Sequence, residues 1–170
     1  MTMARHHMRR GFTLTELLMV VVVLAIASAL IAPLAGNDEG TALRATAELL
    51  AADIEDVQAR TLANPIEATC LVPRADGSGW HIALVQSPYE PIESIDGQAL
   101  ERSFGSGALA SATTIRLRTP PLPENRLTFD DQGAPVSIEG PVHFEIIGTE
   151  KDRTLKVVLS AATGRVSIAR

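Results

Sequence analysis

Only one cysteine, Cys70, occurs in the chain, so no intramolecular disulfide and no cysteine-rich zinc site can be built. Aromatic residues are sparse at 4%, with one tryptophan and one tyrosine, although 46% of residues are hydrophobic. The apolar content is therefore mostly aliphatic, and its distribution matters more than its total. Basic charge is also short: 15 Lys and Arg face 20 Asp and Glu, for a formal charge of −5. Arg5, Arg9 and Arg10 crowd into the first ten positions, so the remainder is more acidic still. Such a body lacks the clustered Lys and Arg that phosphate contacts need, which disfavours nucleic acid as the main partner.

Recognisable catalytic spacing is missing too. His6 and His7 lie near the N-terminus, while His81 and His143 stand apart in strand-like runs without H-x-x-x-H or comparable ligand spacing. Ser160 and Ser167 have no nucleophile-elbow pattern around them. Asp130-Asp131 lacks the spaced ladder of carboxylates a calcium loop uses, and an ordinary hairpin turn accounts for the pair. No catalytic residue, metal site or cofactor is assigned, and the chain reads as a non-enzyme. At 170 residues and 18.1 kDa it accommodates one ordinary domain plus an anchor.

What the sequence does have is a long apolar run. Leu17 to Asn37 contains no formally charged residue. As a helix it would extend roughly 30 Å, about the thickness of a hydrocarbon layer. Arg9 and Arg10 on one side and Asp38 and Glu39 on the other predict a cytoplasmic N-terminus and an exported body. A cleaved secretory signal competes with this anchor, with Ala27-Ser28-Ala29 as its cleavage site. Against it stand the length of the run and Glu16, a carboxylate inside the apolar segment that begins at Phe12. A charge there costs about 2.5–3.5 kcal/mol at mid-membrane, less near an end, and usually has a partner.

The stretch Arg9-Arg10-Gly11-Phe12-Thr13-Leu14-Thr15-Glu16-Leu17-Leu18 resembles the class III signal of type IV pilins and of the pseudopilins of type II secretion. The resemblance implies that a membrane-embedded prepilin peptidase cuts between Gly11 and Phe12 and N-methylates Phe12, leaving the apolar segment on the mature protein. It also implies a partner for Glu16, the N-terminal ammonium of a neighbouring subunit, which would offset the buried charge and set the register between subunits. Pro33 matches a proline that kinks the N-terminal helix in many relatives; a simple helix stop at the membrane exit accounts for it equally well.

After a polar break at residues 36–41, Leu43, Ala47, Leu50, Ile54, Val57 and Thr61 recur every three or four positions. They predict an amphipathic helix from an N-cap at Thr41 to about Leu62, ended by Asn64-Pro65, with Arg44, Glu48, Glu55 and Arg60 off the stripe. Strand-like runs follow. Ala68–Val72 and Trp80–Val85 flank Asp76-Gly77-Ser78-Gly79 as a hairpin, with Cys70 and Trp80 in the core. Residues 86–112 read as an irregular excursion with at most one strand, Ala99–Phe104. Six further strands are expected at Thr113–Thr119, Arg126–Phe129, Val136–Glu139, Val142–Ile147, Thr154–Ser160 and Arg165–Ala169.

The expected fold is α+β and pilin-like: a long N-terminal transmembrane and amphipathic helix packed on antiparallel β-sheets. Its divisions are a leader at 1–11, a transmembrane segment at 12–35 and a globular body at 36–170. Leu127-Thr128-Phe129-Asp130-Asp131-Gln132-Gly133, then Leu155–Ser160 leading to Gly164-Arg165-Val166, is similar to the GspH/FimT group of minor pseudopilins. That resemblance implies a structural subunit of a type II secretion pseudopilus, held single-pass in the inner membrane with its body periplasmic or exterior. Its partners would be membrane lipid before assembly, the prepilin peptidase, an inner-membrane assembly platform and other pseudopilins. Two alternatives stay open: a FimT-like pilin of DNA uptake, for which Arg165 and Arg170 supply little basic surface, and a secreted β-rich binding domain with an ordinary signal peptide and ligand contacts in residues 86–112.

Overall fold

The computed structural model of the chain describes residues 14–31 and 39–169. Two compact units divide it, Met1–Gly36 and Asn37–Arg170. The first contains one described element, helix α1 (Leu14–Ile31). Its sequence is apolar all round apart from Thr15, Glu16 and Ser28, the composition of a helix that needs an apolar surrounding on every side. Its 18 residues extend about 27 Å, a little short of the hydrocarbon thickness. Among the described residues no helix is long and apolar enough to cross a membrane. The rest of the segment expected at 12–35, including Phe12 and Pro33, lies outside the described residues.

The second unit begins with α2 (Glu39–Ala63), which contains no glycine after Gly40 and no proline, and stops where Asn64-Pro65 opens a short 3₁₀ turn. All six expected stripe positions are buried, and Arg44, Glu48, Glu55 and Arg60 are exposed as expected. On that exposed side Arg44 pairs with Glu48 at 2.9 Å and Arg60 with Asp56 at 2.7 Å, i,i+4 contacts of about 0.3–0.5 kcal/mol each. The start of the helix differs from the N-cap expected at Thr41. Glu39 already lies in the helix, and Thr41 is an exposed first-turn residue. The cause is the buried Glu39 carboxylate, which accepts the backbone N–H groups of Glu150 at 2.9 Å and Lys151 at 3.0 Å and fixes the helix entry from outside the local sequence.

Among the described residues nine strands form two antiparallel sheets. The first contains β1 (Thr69–Pro73), β2 (Gly79–Leu84), β3 (Ser87–Pro91), β4 (Glu101–Ser103) and β6 (Leu127–Thr128), in the order β3-β2-β1-β6 with β4 also on β2. The second runs β5 (Ile115–Arg118), β7 (Val142–Gly148), β8 (Thr154–Leu159), β9 (Val166–Ala169). The β1–β2 hairpin pairs Cys70 with Ala83 and Pro73 with Trp80, and both Cys70 and Trp80 are completely buried. Helix α2 packs against β1 and against β7, β8 and β9, so its stripe meets Leu71, Trp80, Phe144, Ile146, Val157 and Leu159 in one core. The inward residues of β7 alternate strictly with outward ones, as a sheet with one solvated face requires.

Two strand expectations are corrected. Val136–Glu139 forms no strand: it follows Pro135, which bridges to Phe129, and Ser137 takes a φ of +57°, a left-handed turn conformation that breaks the extended run. Residues 86–112 hold two strands rather than one. β3 escaped notice because Pro88 and Pro91 read as breakers; they are accommodated because β3 lies at the edge of its sheet.

Candidate functional site

The candidate site is the N-terminal segment. Glu16 lies in the first turn of α1, where a carboxylate complements the positive end of the helix dipole. It is exposed, as are its neighbours Leu17 to Leu24. Uncovered apolar side chains such as Leu17 to Leu24 can be stabilised by lipid or by other helices. Gly11, Phe12 and Pro33 lie outside the described residues, as do His6, His7 and Arg170.

The residues considered for other chemistry are spread over the body. His81 on β2 is half-buried, with Nε2 2.9 Å from the carbonyl of Pro88, whereas His143 is exposed on β7. Ser160 ends the β8 run, where its N–H donates to Arg165 O at 2.9 Å, and Ser167 is exposed on β9. Asp130 serves a turn: its Oδ1 accepts the N–H groups of Gln132 at 2.9 Å and Ala134 at 2.8 Å. Among the described residues no group of three or more His, Cys, Asp or Glu is placed to hold a metal ion.

Polar contacts that sequence reasoning missed hold the body together. Asp53 of α2 is buried, and its Oδ2 accepts the Trp80 indole N–H at 2.8 Å and Arg102 Nε at 3.1 Å; Arg102 Nη2 reaches Oδ1 at 3.3 Å. The signal was available: Asp53 falls between Leu50 and Val57 on the apolar stripe, where an acid needs a partner. Gln58 donates to Gly133 O at 2.6 Å, joining α2 to the turn after Phe129. Burial pushes the Cys70 thiol up to about 11, against smaller lowering effects of the Arg126 charge and the Ala83 backbone. In the β1–β2 turn, hydrogen bonds from the Ser78 side chain and backbone lower Asp76.

Residues 6–32 match the family model described as the prokaryotic N-terminal methylation motif. No curated protein and no solved structure matches the chain. The matched span includes the Gly11–Phe12 bond, Glu16 and the whole of α1. The motif supports a type IV pilin-like protein, made as a membrane-anchored precursor for prepilin peptidase and for assembly with other pilins.

Proposed function

We propose that the chain is a minor pseudopilin, a non-catalytic structural subunit of a type II secretion pseudopilus in the GspH/FimT group. The precursor inserts with residues 12–35 spanning the inner membrane, the N-terminus cytoplasmic and the body periplasmic or exterior. Prepilin peptidase cleaves between Gly11 and Phe12 and methylates Phe12. The helix then leaves lipid for a bundle of like helices, held by side-chain packing, while Glu16 pairs with the terminal ammonium of a neighbour and sets the register. Pro33 adapts the end of the apolar segment. The observation that carries this reading is the methylation motif over residues 6–32, which takes in Glu16 and the whole of α1, a helix that is apolar apart from that acid, Thr15 and Ser28.

Intact-mass and N-terminal analysis of the membrane-extracted protein, with and without active prepilin peptidase, tests it. A chain beginning at N-methylated Phe12 only when the peptidase is active is the expected result. A chain beginning near Leu30, or keeping Met1 in both cases, overturns the filament reading.

A further inference from the structure

Asp-Gly occurs twice in the body, at Asp76-Gly77 in the β1–β2 turn and at Asp96-Gly97 between β3 and β4, and the fold holds the two differently. The dipeptide matters chemically because glycine has no side chain to keep its main-chain nitrogen away from the carboxyl carbon of the residue before it. At Asp76 the fold blocks that approach. Oδ1 accepts the Ser78 N–H at 2.9 Å and the Ser78 hydroxyl at 2.7 Å, which lowers the acid and keeps it as the poorly electrophilic carboxylate. Gly77 is clamped between the sheets. Its N–H donates to Arg74 O at 3.0 Å, its carbonyl accepts the Leu117 N–H at 3.0 Å, and an added Cβ would stand 2.5 Å from Leu117 O.

Asp96-Gly97 has no such support. Both residues are exposed beside a bare Ile95, and among the described residues no hydrogen bond or ion pair holds the Asp96 carboxyl. Gly97 has a φ of +72° and open space around it, with nothing within 4 Å of where a Cβ would stand. A single turn bond holds its nitrogen, Gly97 N–H to Ser94 O at 2.9 Å, and Ser94 N–H to Gln98 O at 2.7 Å closes the tip behind it. No residue from Glu93 to Ala99 is buried, so opening this tip uncovers no core and costs little.

We propose that Asp96 is a site of spontaneous covalent modification, cyclising onto Gly97 and reopening as isoaspartate. Once the bond to Ser94 opens, the Gly97 main-chain nitrogen gives its proton to water and attacks Cγ of the protonated Asp96 carboxyl. The N–Cγ bond forms, the carboxyl hydroxyl leaves as water, and the product is a five-membered succinimide. Water then adds to either ring carbonyl. Addition at Cγ breaks the new bond and restores aspartate. Addition at the main-chain carbonyl of Asp96 breaks the original peptide bond to Gly97, so the chain runs through Cβ and Cγ and the α-carboxylate is free. One water leaves and one returns, and no oxidant or cofactor takes part. The isomer keeps mass and charge but lengthens the main chain by one carbon inside the turn closed by Ser94 and Gly97. The converted fraction rises with the age of the folded chain, at a place that leaves the core undisturbed. The reaction needs neither membrane insertion nor assembly, so it stands apart from the pseudopilus reading.

The test ages the full chain in detergent micelles, in mildly acidic water enriched in heavy oxygen, beside the same chain in urea. Chymotryptic cleavage after Trp80 puts the two sites on different peptides. Uptake of heavy oxygen counts succinimide opening, and labelling by a methyltransferase specific for isoaspartyl carboxylates identifies the isomer. Circular dichroism is followed throughout, and only uptake before any unfolding is counted for the folded sample. In the folded chain Asp96 should react about tenfold faster than Asp76, and in urea the two should react alike. Gly97→Ala, which places a Cβ beside the attacking nitrogen, should slow Asp96 about tenfold in urea, where turn strain plays no part. Equal uptake at Asp76 and Asp96 in the folded chain overturns the proposal, as does reaction of Asp96 only in urea. Heavy oxygen at Asp96 without isoaspartyl label also overturns it, since simple carboxyl exchange then accounts for the uptake.

Discussion

Asp53 shows what one residue can hold. It joins α2 to β2 through the Trp80 N–H and to β4 through the Arg102 guanidinium, so three elements distant in sequence converge on one carboxylate. Removing it leaves a buried N–H and a partly buried cation without their acceptor. Asp53→Ala should therefore cost about 2–4 kcal/mol, below the range for fully buried pairs because Arg102 retains some solvent. Asp53→Asn, which keeps an acceptor for Trp80, should cost less; urea melts of both variants check the order. Cys70 supplies a second residue-scale prediction. Its thiol is raised from 9.0 to about 11 in the folded chain, so the folded state favours the protonated form. The contribution to stability is intact below about 9 and is lost as pH rises toward 11, where the unfolded chain ionises first. Thermal melts of parent and Cys70→Ala should keep a constant difference up to pH 9 and converge above it. Native Cys70 should also resist iodoacetamide at pH 8, because a buried thiol is not a nucleophile.

Among the elements, α2 organises the body, and its contacts divide into those a sequence can reveal and those it cannot. Leu50 and Ile54 lie on the 3.6-residue stripe and are wholly buried; truncating either to Ala should cost about 2–5 kcal/mol in chemical denaturation. Gly164 is required for a different reason. It has a φ of +63° in the β8–β9 turn, and a Cβ there would stand 2.1 Å from Gly133 O and 2.3 Å from Gln58 Nε2. Gly164→Ala should lower the thermal midpoint by straining the turn and displacing the Gln58 hydrogen bond, whereas Gly97→Ala, in open space with φ +72°, should show the backbone strain alone. Helix periodicity and strand alternation made α2, the β1–β2 hairpin and β7–β9 legible, because burial of one face leaves a regular pattern in the residues. The helix entry was not legible: it depends on Glu39 meeting backbone amides more than a hundred positions away. Nor was β3, where two prolines masked an edge strand, nor the turn at Ser137, which uses a left-handed conformation without glycine. The N-terminal segment was legible as a motif, since the methylation motif over residues 6–32 is read from contiguous residues and needs no fold to be recognised.

At the scale of the whole molecule, the buried core of the described residues is drawn from position 42 onward, within the unit Asn37–Arg170. The body should therefore fold without the N-terminal segment. A chain beginning at Asn37 is expected to be soluble without detergent and to melt in one cooperative transition, whereas the full chain, with Leu17 to Leu24 uncovered, should require detergent. A truncated body that fails to fold would give the N-terminal unit a stabilising role that the core composition does not suggest. The location of Trp80 adds an optical consequence. It is the only tryptophan in the chain, fully buried, with its indole N–H held by Asp53. All tryptophan emission from the intact protein thus originates in the body, and helix α1 is dark at that wavelength. The insertion, cleavage and extraction proposed for the N-terminal segment would leave this fluorescence unaltered, while loosening of the Asp53 contact shifts it to the red; one built-in fluorophore separates changes at the N-terminal segment from changes in the core.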